Sequence, residues 1–386
     1  MSNISMNYIE KLLDGVTVEW KSLSEIYKFQ YGKGNTIPTS GGIYPVYGSN
    51  GMVGFHNEYN SEDAPVIGHI GAYAGIVNWG LGKHFVTYNG IICTLINNDV
   101  LYKYAYYQLL KQNFNAMAKN SSQPFISYDA LNKVQIPIPP LNVQEEIVRI
   151  LDAFTELTTE LTTELTARKK QYEYYRDKLL TFDGSVEWKT LGEVALKISS
   201  GGTPNTSVAE YWENGTIPWM SSGEVNLETV YSTEKYISES GLKNSSAKFV
   251  PKNSIVMALA GQGKTRGKVA RIRIDLTTNQ SLASLIFDRD KINSDYVFHF
   301  LKTQYDNLRQ ISSGSGTRGG LNLQMISNYK LPVPPLAEQE RIVAILDKFD
   351  ALTNSITEGL PREIELRKQQ YEYYRDMLLT FPRVEK

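Results

Sequence analysis

The residues that could do chemistry fall on loops. From Gly261 to Lys268 the chain reads GQGKTRGK, and Lys264, Arg266, Lys268, Arg271 and Arg273 put five cations in ten positions with no acid between them. Glycine lets a backbone approach a partner closely, while Lys, Arg and the amide of Gln262 reach phosphates and base edges. The pattern points to a nucleic-acid contact; the plainer alternative is a solvated hairpin tip. Gly263-Lys264-Thr265 has the core of a phosphate-binding loop, but the first glycine of that pattern would fall at Ala258. Such a loop must also open a helix, whereas Arg266–Ile274 contains Gly267 and alternates like a strand. Nucleotide hydrolysis is therefore rejected. Earlier, Lys28, Tyr31, Lys33, Asn35, His69, Tyr73, Asn78, Trp79, Lys83 and His84 lie on Gly-rich segments. Polar and aromatic side chains on such loops suit a base-reading surface. Ser121 and Gln123 in one Ser-rich loop, and Thr317 and Arg318 in another, extend the set. His69 and His84 have neither metal-ligand spacing nor a Cys/Asp cluster around them, so zinc is not expected. The sequence has no G-x-S-x-G, no H-E-x-x-H and no pair of cysteines, and no catalytic residue is assigned.

Loops of this kind need a frame, and the frame is written twice. Residues 168–182 read RKKQYEYYRDKLLTF and residues 367–381 read RKQQYEYYRDMLLTF, with two differences in 15. Upstream, PIPPLNVQEEIVRILDAF (137–154) is echoed by PVPPLAEQERIVAILDKF (332–349). Internal repeats of this fidelity imply two-fold internal architecture. In the first copy a heptad seam runs through Ile147, Leu151, Phe154, Thr158, Leu161, Leu165, Arg168, Tyr172, Tyr175 and Leu179, eight of ten being apolar or aromatic. That period signals a coiled coil. The matching seam of the second copy is Ile342, Leu346, Phe349, Tyr371, Tyr374 and Leu378. Asn142 with Glu145 makes a capping-box pattern at the start of the first helix and Asp183-Gly184 a stop, so a helix over about 142–181, roughly 60 Å long, is expected. A tetrapeptide, Thr-Glu-Leu-Thr, occurs three times from Thr155 to Thr166. Each unit adds about one turn, or 6 Å, while nearly keeping the face. Gly359 and Pro361 should kink or break the second copy.

Two modules lie between these marks. Val18-Glu19-Trp20-Lys21-Ser22-Leu23 returns as Val186-Glu187-Trp188-Lys189-Thr190-Leu191, and Glu10–Leu13 parallels Asp177–Leu180. The order is a helical fragment (1–17), a module (18–136), a helical spacer (137–185), a second module (186–331) and a second spacer (332–386). This is a circular repeat with a pseudo-dyad. Short alternating runs broken by Gly and Asn read as strands. Leu101–Met117 reads as one amphipathic helix, and a helix near Ser294–Leu308 matches it. Each module is thus a small α+β domain. Asn120–Gln123 and Ser312–Gly320 are loops from which a short strand leads to the Pro-Pro hinge.

At 386 residues, 41% hydrophobic and 21% charged, the chain is long enough for two or three domains with ample core. A net charge of −1 confines any nucleic-acid surface to a local patch. The single cysteine, Cys93, sits in an apolar run and reads as a buried thiol, with a cytoplasmic setting expected. No stretch is long and apolar enough to span a membrane.

These features resemble the specificity subunit of a type I restriction–modification system. The carriers are Pro137-Ile-Pro-Pro-Leu, Gln144-Glu145, Ile150-Leu151-Asp152, Gln171-Tyr172-Glu173-Tyr174-Tyr175-Arg176-Asp177 and their second copies, together with Gly201-Gly202-Thr203-Pro204 and Ile217-Pro218-Trp219. The resemblance covers nearly the whole chain; Pro361 and the tetrapeptide tract depart from it. It implies an α+β fold in which two target-recognition domains, related by a pseudo-two-fold, are joined by two long antiparallel coiled-coil helices. It adds Thr203 and Trp219 to the candidate DNA contacts. It further implies that each domain reads half of a split, asymmetric site in double-stranded DNA. The helices would dock two modification subunits that hold S-adenosylmethionine and methylate adenine, and two ATP-dependent restriction subunits can join. This chain would hold no cofactor or metal and perform no chemistry. The competing readings are a coiled-coil adaptor with two non-DNA ligand-binding modules, and a stand-alone enzyme.

Overall fold

The computed structural model describes residues 11–34, 41–118, 124–261, 264–312, 320–355 and 357–382. The first module opens with β1 (Glu19–Ser22), α1 (Leu23–Ile26), β2 (Tyr27–Tyr31), β3 (Tyr44–Gly48), β4 (Gly51–His56), β5 (Ser61–Gly68), β6 (Val77–Val86) and β7 (Gly90–Leu95). It continues with α2 (Tyr102–Lys111), α3 (Phe114–Ala118), α4 (Tyr128–Asn132) and β8 (Gln135–Ile138), and passes into the long helix α5 (Leu141–Leu179). The second module has β9 (Trp188–Thr190), α6 (Leu191–Val194), β10 (Ala195–Ser200), β11 (Ile217–Met220), β12 (Thr229–Val230), β13 (Lys235–Ile237), α7 (Glu239–Lys243) and β14 (Phe249–Val250). Then come β15 (Ile255–Ala258), β16 (Val269–Ile272), β17 (Leu276–Thr278), β18 (Leu282–Phe287), α8 (Ser294–Thr303), α9 (Tyr305–Ile311), α10 (Leu323–Ser327) and β19 (Lys330–Pro332). Helices α11 (Leu336–Asn354) and α12 (Gly359–Leu378) close the chain.

The chain divides into two compact units, residues 1–163 with 363–386, and residues 164–362. Unit 1 carries a six-stranded sheet in the order β2-β7-β5-β6-β3-β4 and a two-stranded ribbon, β1-β8. Unit 2 carries a five-stranded sheet, β10-β18-β15-β16-β12, a four-stranded one, β13-β11-β17-β14, and a ribbon, β19-β9. The larger sheets are mixed: β3 runs parallel to β6, β12 to β16 and β11 to β17. Both modules start alike. Ser22 and Glu25 form a capping box at α1, and Thr190 and Glu193 form the same box at α6.

Each unit pairs a piece of α5 with a piece of the other repeat. In unit 1, Ile147, Leu151 and Leu378 are fully buried, Tyr371 packs on the same core, and the ring of Phe154 stacks on Tyr374 with centroids 5.4 Å apart. In unit 2, Tyr172 and Tyr175 lie 6.1 and 5.7 Å from Phe349, beside buried Ile342 and Leu346 and partly buried Leu179. Rising numbers on α5 meet falling numbers on the second repeat, the antiparallel sense. Between them Leu161 and Leu165 are half-buried. Helical residues 11–13 supply Leu12 and Leu13 to the unit 1 core.

Four expectations need correction. Helix α5 begins at Leu141, so Asn142 lies inside it; the Pro140 carbonyl accepts from Val143 and Gln144 N–H at 2.9 and 3.1 Å. Its ordered turns stop at Leu179, before Asp183-Gly184. The single helix expected over Leu101–Met117 is two, because Asn113 takes a left-handed φ of 50° that an α-helix cannot contain. The helix near Ser294–Leu308 is likewise split after Thr303. The break expected near Gly359 is present: α11 stops at Asn354, and Gly359 has φ 73°, where a Cβ would sit 2.3 Å from the Ala351 oxygen.

Candidate nucleic-acid interface

In unit 1 several loops are laced together by backbone hydrogen bonds. Lys33 N–H donates to Val86 O (2.9 Å), Tyr88 N–H to Gly34 O (2.8 Å), Thr87 N–H to Tyr47 O (3.0 Å) and His69 N–H to Asn89 O (2.8 Å). Ile126 N–H returns to His69 O at 2.9 Å. Gly32 permits the crossing, since a Cβ there would lie 2.1 Å from the Thr87 oxygen. The lacing gathers rings: Tyr31 stacks on Tyr128 at 4.1 Å and lies 4.4 Å from His69 and 5.8 Å from Tyr88. The Tyr128 hydroxyl accepts from Tyr31 N–H. Lys33, Tyr73 and Tyr88 are exposed around this cluster. Lys28, also exposed, lines a groove of about 320 Å³ with Phe29, Ile96 and Tyr128.

Unit 2 repeats the lacing with other side chains. Gly202 N–H donates to Thr278 O (2.8 Å), Leu259 N–H to Ser281 O (2.9 Å) and Leu321 N–H to Leu259 O (2.8 Å). A Cβ on Gly201 would lie 1.9 Å from the Thr278 oxygen, as on Gly32 against Thr87. Gly267 N–H to Ala258 O matches Gly75 N–H to Gly68 O, at 2.9 and 2.8 Å. The loop between β15 and β16 is thus the counterpart of the loop between β5 and β6, and each carries an exposed side chain, Lys264 in one and Tyr73 in the other. It joins two antiparallel strands rather than a strand and a helix, so it cannot present a helix N-terminus to phosphate. Tyr305 OH holds it by donating to Lys264 O at 2.8 Å. Lys268 Nζ donates to Asn226 Oδ1 (2.8 Å) at the edge of a cavity of about 250 Å³ that Glu228, Lys302 and Tyr305 also line. Thr203 Oγ1 donates to Gln280 Oε1 at 2.5 Å.

Several candidates are elsewhere. Trp79 packs against Tyr102 and Tyr106 of α2 at 5.5 and 5.3 Å. Its counterpart Arg271 is 8% exposed: the guanidinium lies 4.9 Å over the Phe298 ring and is ion-paired to Asp347 (2.7 Å), Asp295 (3.4 Å) and Asp350 (3.7 Å). Arg271 therefore anchors its module to α11, while Trp79 packs within its own module. Trp219 is buried, with Nε1 donating to Gly202 O at 3.0 Å. His84 is fully buried, its Nδ1 2.8 Å from Gly82 O, and burial lowers its pKa. Asn78 is partly buried within β6, where its carbonyl oxygen would lie 3.1 Å from a Cβ on Gly51. Lys83 is exposed but lies over the Tyr59 ring at 4.7 Å. Arg266 is buried, which takes it off the surface. Asn35, Ser121, Gln123, Gln262, Thr317 and Arg318 lie outside the described residues. Cys93 is buried, and burial pushes its thiol well up.

Sequence reasoning missed the anchors. Gln144 is fully buried; its Oε1 accepts from Leu101 N–H (2.8 Å) and its Nε2 donates to Asp99 O (2.9 Å) and Pro139 O (2.8 Å). Gln339 does the same with Asn293 N–H and Pro334 O, both 2.8 Å. Tyr104 OH donates to Pro137 O (2.8 Å) and Tyr296 OH to Pro332 O (2.9 Å). Asp152 binds Tyr107 OH at 2.6 Å and Lys103; Asp347 binds His299 Nε2 at 2.8 Å and Arg271. Burial alone would raise the Asp347 carboxyl, but hydrogen bonds from His299 and Arg271 outweigh it and hold the pKa at about 2. The signal was available: these Gln and Asp residues occupy matched positions in the repeated Pro-Pro segments.

Two laced modules, each bolted to a repeated helix and each with its own loop chemistry, define a specificity architecture, and the chain belongs to the family described as type I restriction modification DNA specificity domain. The family model matches residues 16–169 and 185–366. The chain is 41% identical to the Escherichia coli type I restriction enzyme EcoR124I/EcoR124II specificity subunit, with 98% of each chain covered. It is 34% identical to a Haemophilus influenzae putative type I restriction enzyme specificity subunit, S.HindORF215P, over 97% of this chain and 98% of that one. The type I restriction–modification S subunit from M. genitalium shares the fold, with TM-score 0.65 and 18% identity, covering 96% of this chain and 98% of that one. As a member of this family the chain is a DNA-binding, non-catalytic specificity subunit. Among the described residues no helix is long and apolar enough to cross a membrane.

Proposed function

We propose that this chain reads a bipartite, asymmetric DNA site, with residues 18–136 recognising one half and residues 186–331 the other. The paired helices of 137–185 and 332–386 dock two modification subunits that bind S-adenosylmethionine and methylate adenine, to which restriction subunits can be added in the cytoplasm. The observation that carries the reading is the contrast between shared anchors and unlike loops. Both modules use matched Gln and Tyr contacts to the Pro-Pro segments, and matched Asp residues on the helices hold each module through different partners. Yet one offers Tyr31, His69, Tyr73 and Tyr88 where the other offers Thr203, Lys264 and Lys268. Readers built on one plan with different contact chemistry recognise different sequences. Docking on the helices is supported by Tyr174 and Tyr373, which stand 60% and 54% exposed at matched positions of the repeat. Sequencing the methylome of cells expressing this chain with its modification partner should give two unlike short motifs separated by unspecified bases. A single uninterrupted motif overturns the reading.

A further inference from the structure

His69 is a buried polar side chain in the laced loops of unit 1, with 8% of its surface exposed. Its backbone is held at both ends, N–H to Asn89 O and O to Ile126 N–H, so the ring cannot shift with the loop. Tyr31 lies 4.4 Å from the ring, and Tyr88 meets it edge-on at 5.6 Å. Nδ1 is 2.8 Å from the Ile126 carbonyl oxygen. A carbonyl only accepts, so Nδ1 carries the proton and donates. In the neutral ring Nε2 is then left as an acceptor. Nε2 of His84 and Nδ1 of His299 are buried without a partner, whereas Nε2 of His69 has no hydrogen-bond partner among the described residues and is not fully buried. The ring therefore offers one acceptor of fixed direction, beside exposed Tyr88 and Lys33.

We propose that His69 is a specificity-determining residue whose Nε2 accepts a hydrogen bond from the exocyclic amino group of an adenine or a cytosine in the major groove; this rests on the bipartite reading above. In that groove only adenine N6 and cytosine N4 donate, while guanine presents N7 and O6 and thymine O4, all acceptors. An acceptor locked against acceptors leaves two groups unpaired, a penalty on the wrong base rather than a mere absence of attraction. The fixed tautomer turns the ring into a discriminator. Tyr88, half exposed, supplies an apolar wall at its edge, and Lys33 a cation for the neighbouring phosphate.

The test is the methylome of His69→Asn, expressed as the full chain with its modification partner. The Asn amide reaches the place of Nδ1 and keeps the bond to Ile126, but puts no atom where Nε2 was. The expected motif stays bipartite, with one adenine or cytosine position of a single half-site becoming degenerate. Methylation of sites carrying other bases there should rise roughly five- to tenfold, the worth of one hydrogen bond. Lys264→Ala, in the other module, should weaken recognition of the other half only. If His69→Asn yields no folded protein, His69→Gln carries the test: its amide turns to offer donor or acceptor, so the same position should admit guanine. Unchanged half-sites in a folded, methylating variant overturn the proposal, as does degeneracy in the half-site that Lys264→Ala affects. A motif that proves uninterrupted in the wild type removes the bipartite reading instead.

Discussion

Arg271 shows how a residue type misleads when its surroundings are unknown. It belongs to a run of cations, yet its guanidinium is enclosed by Asp347, Asp295, Asp350 and the ring of Phe298. The loop cations ahead of it and Arg271 on β16 look alike in sequence; the difference is an acid 76 positions away that only folding brings near. Trp79 is half-buried, with its ring against α2. By contrast the exposure of Lys264 and Tyr73 was legible, because a polar or aromatic residue beside glycines in a tight loop has few ways to be buried. The contrast gives a prediction. Arg271→Ala leaves Asp295, Asp347 and Asp350 to Arg273, His299 and Lys302 alone and should cost unit 2 about 2 kcal/mol by thermal or denaturant unfolding. The salt dependence of DNA binding by the surviving folded complex should keep its slope, since no phosphate contact is lost. A slope lower by about one would make Arg271 a phosphate contact after all.

Among the elements, the helices were legible and their ends were not. The seam of α5 follows from its heptad, because burial against a partner is what period selects. Asn113 splits α2 from α3 without leaving any mark in that periodicity, since a left-handed asparagine is compatible with an amphipathic pattern on both sides. The Thr-Glu-Leu-Thr tract is a subtler case: threonine is a mediocre helix former, yet α5 runs through it unbroken. The hydroxyls find their partners inside the helix. Thr155, Thr158, Thr159, Thr162 and Thr163 donate to the carbonyls four residues back, at 2.7–3.0 Å. The tract thus satisfies its polar groups within its own helix and depends on no specific partner for them. Deleting Thr159–Thr162 should remove about one turn, or 6 Å, and leave a folded chain. The gap between half-sites should then shorten by at most about two base pairs at 3.4 Å each, read from the methylation motif. An unchanged gap would mean that helix length does not set it.

For the molecule as a whole, the two modules carry one set of fastenings and two sets of loops. Capping boxes at α1 and α6, tyrosines on α2 and α8, and Gln at the starts of α5 and α11 recur with matched partners, while Asp152 and Asp347 hold matched positions with different ones. Exchanging residues 18–136 for the equivalent module of a relative should therefore give a folded subunit whose methylation motif changes in one half only; changes in both halves would show that the modules do not read independently. The Pro-Pro segments expected to act as hinges are the least free part of this scheme. One buried amide, Gln144, grips the chain before α2 and the proline before α5 together, and Gln339 ties the chain ahead of α8 to the proline before α11. A module and the first turns of its helix are in effect a single casting. Any bending of the helices must therefore fall farther along their length than these first turns.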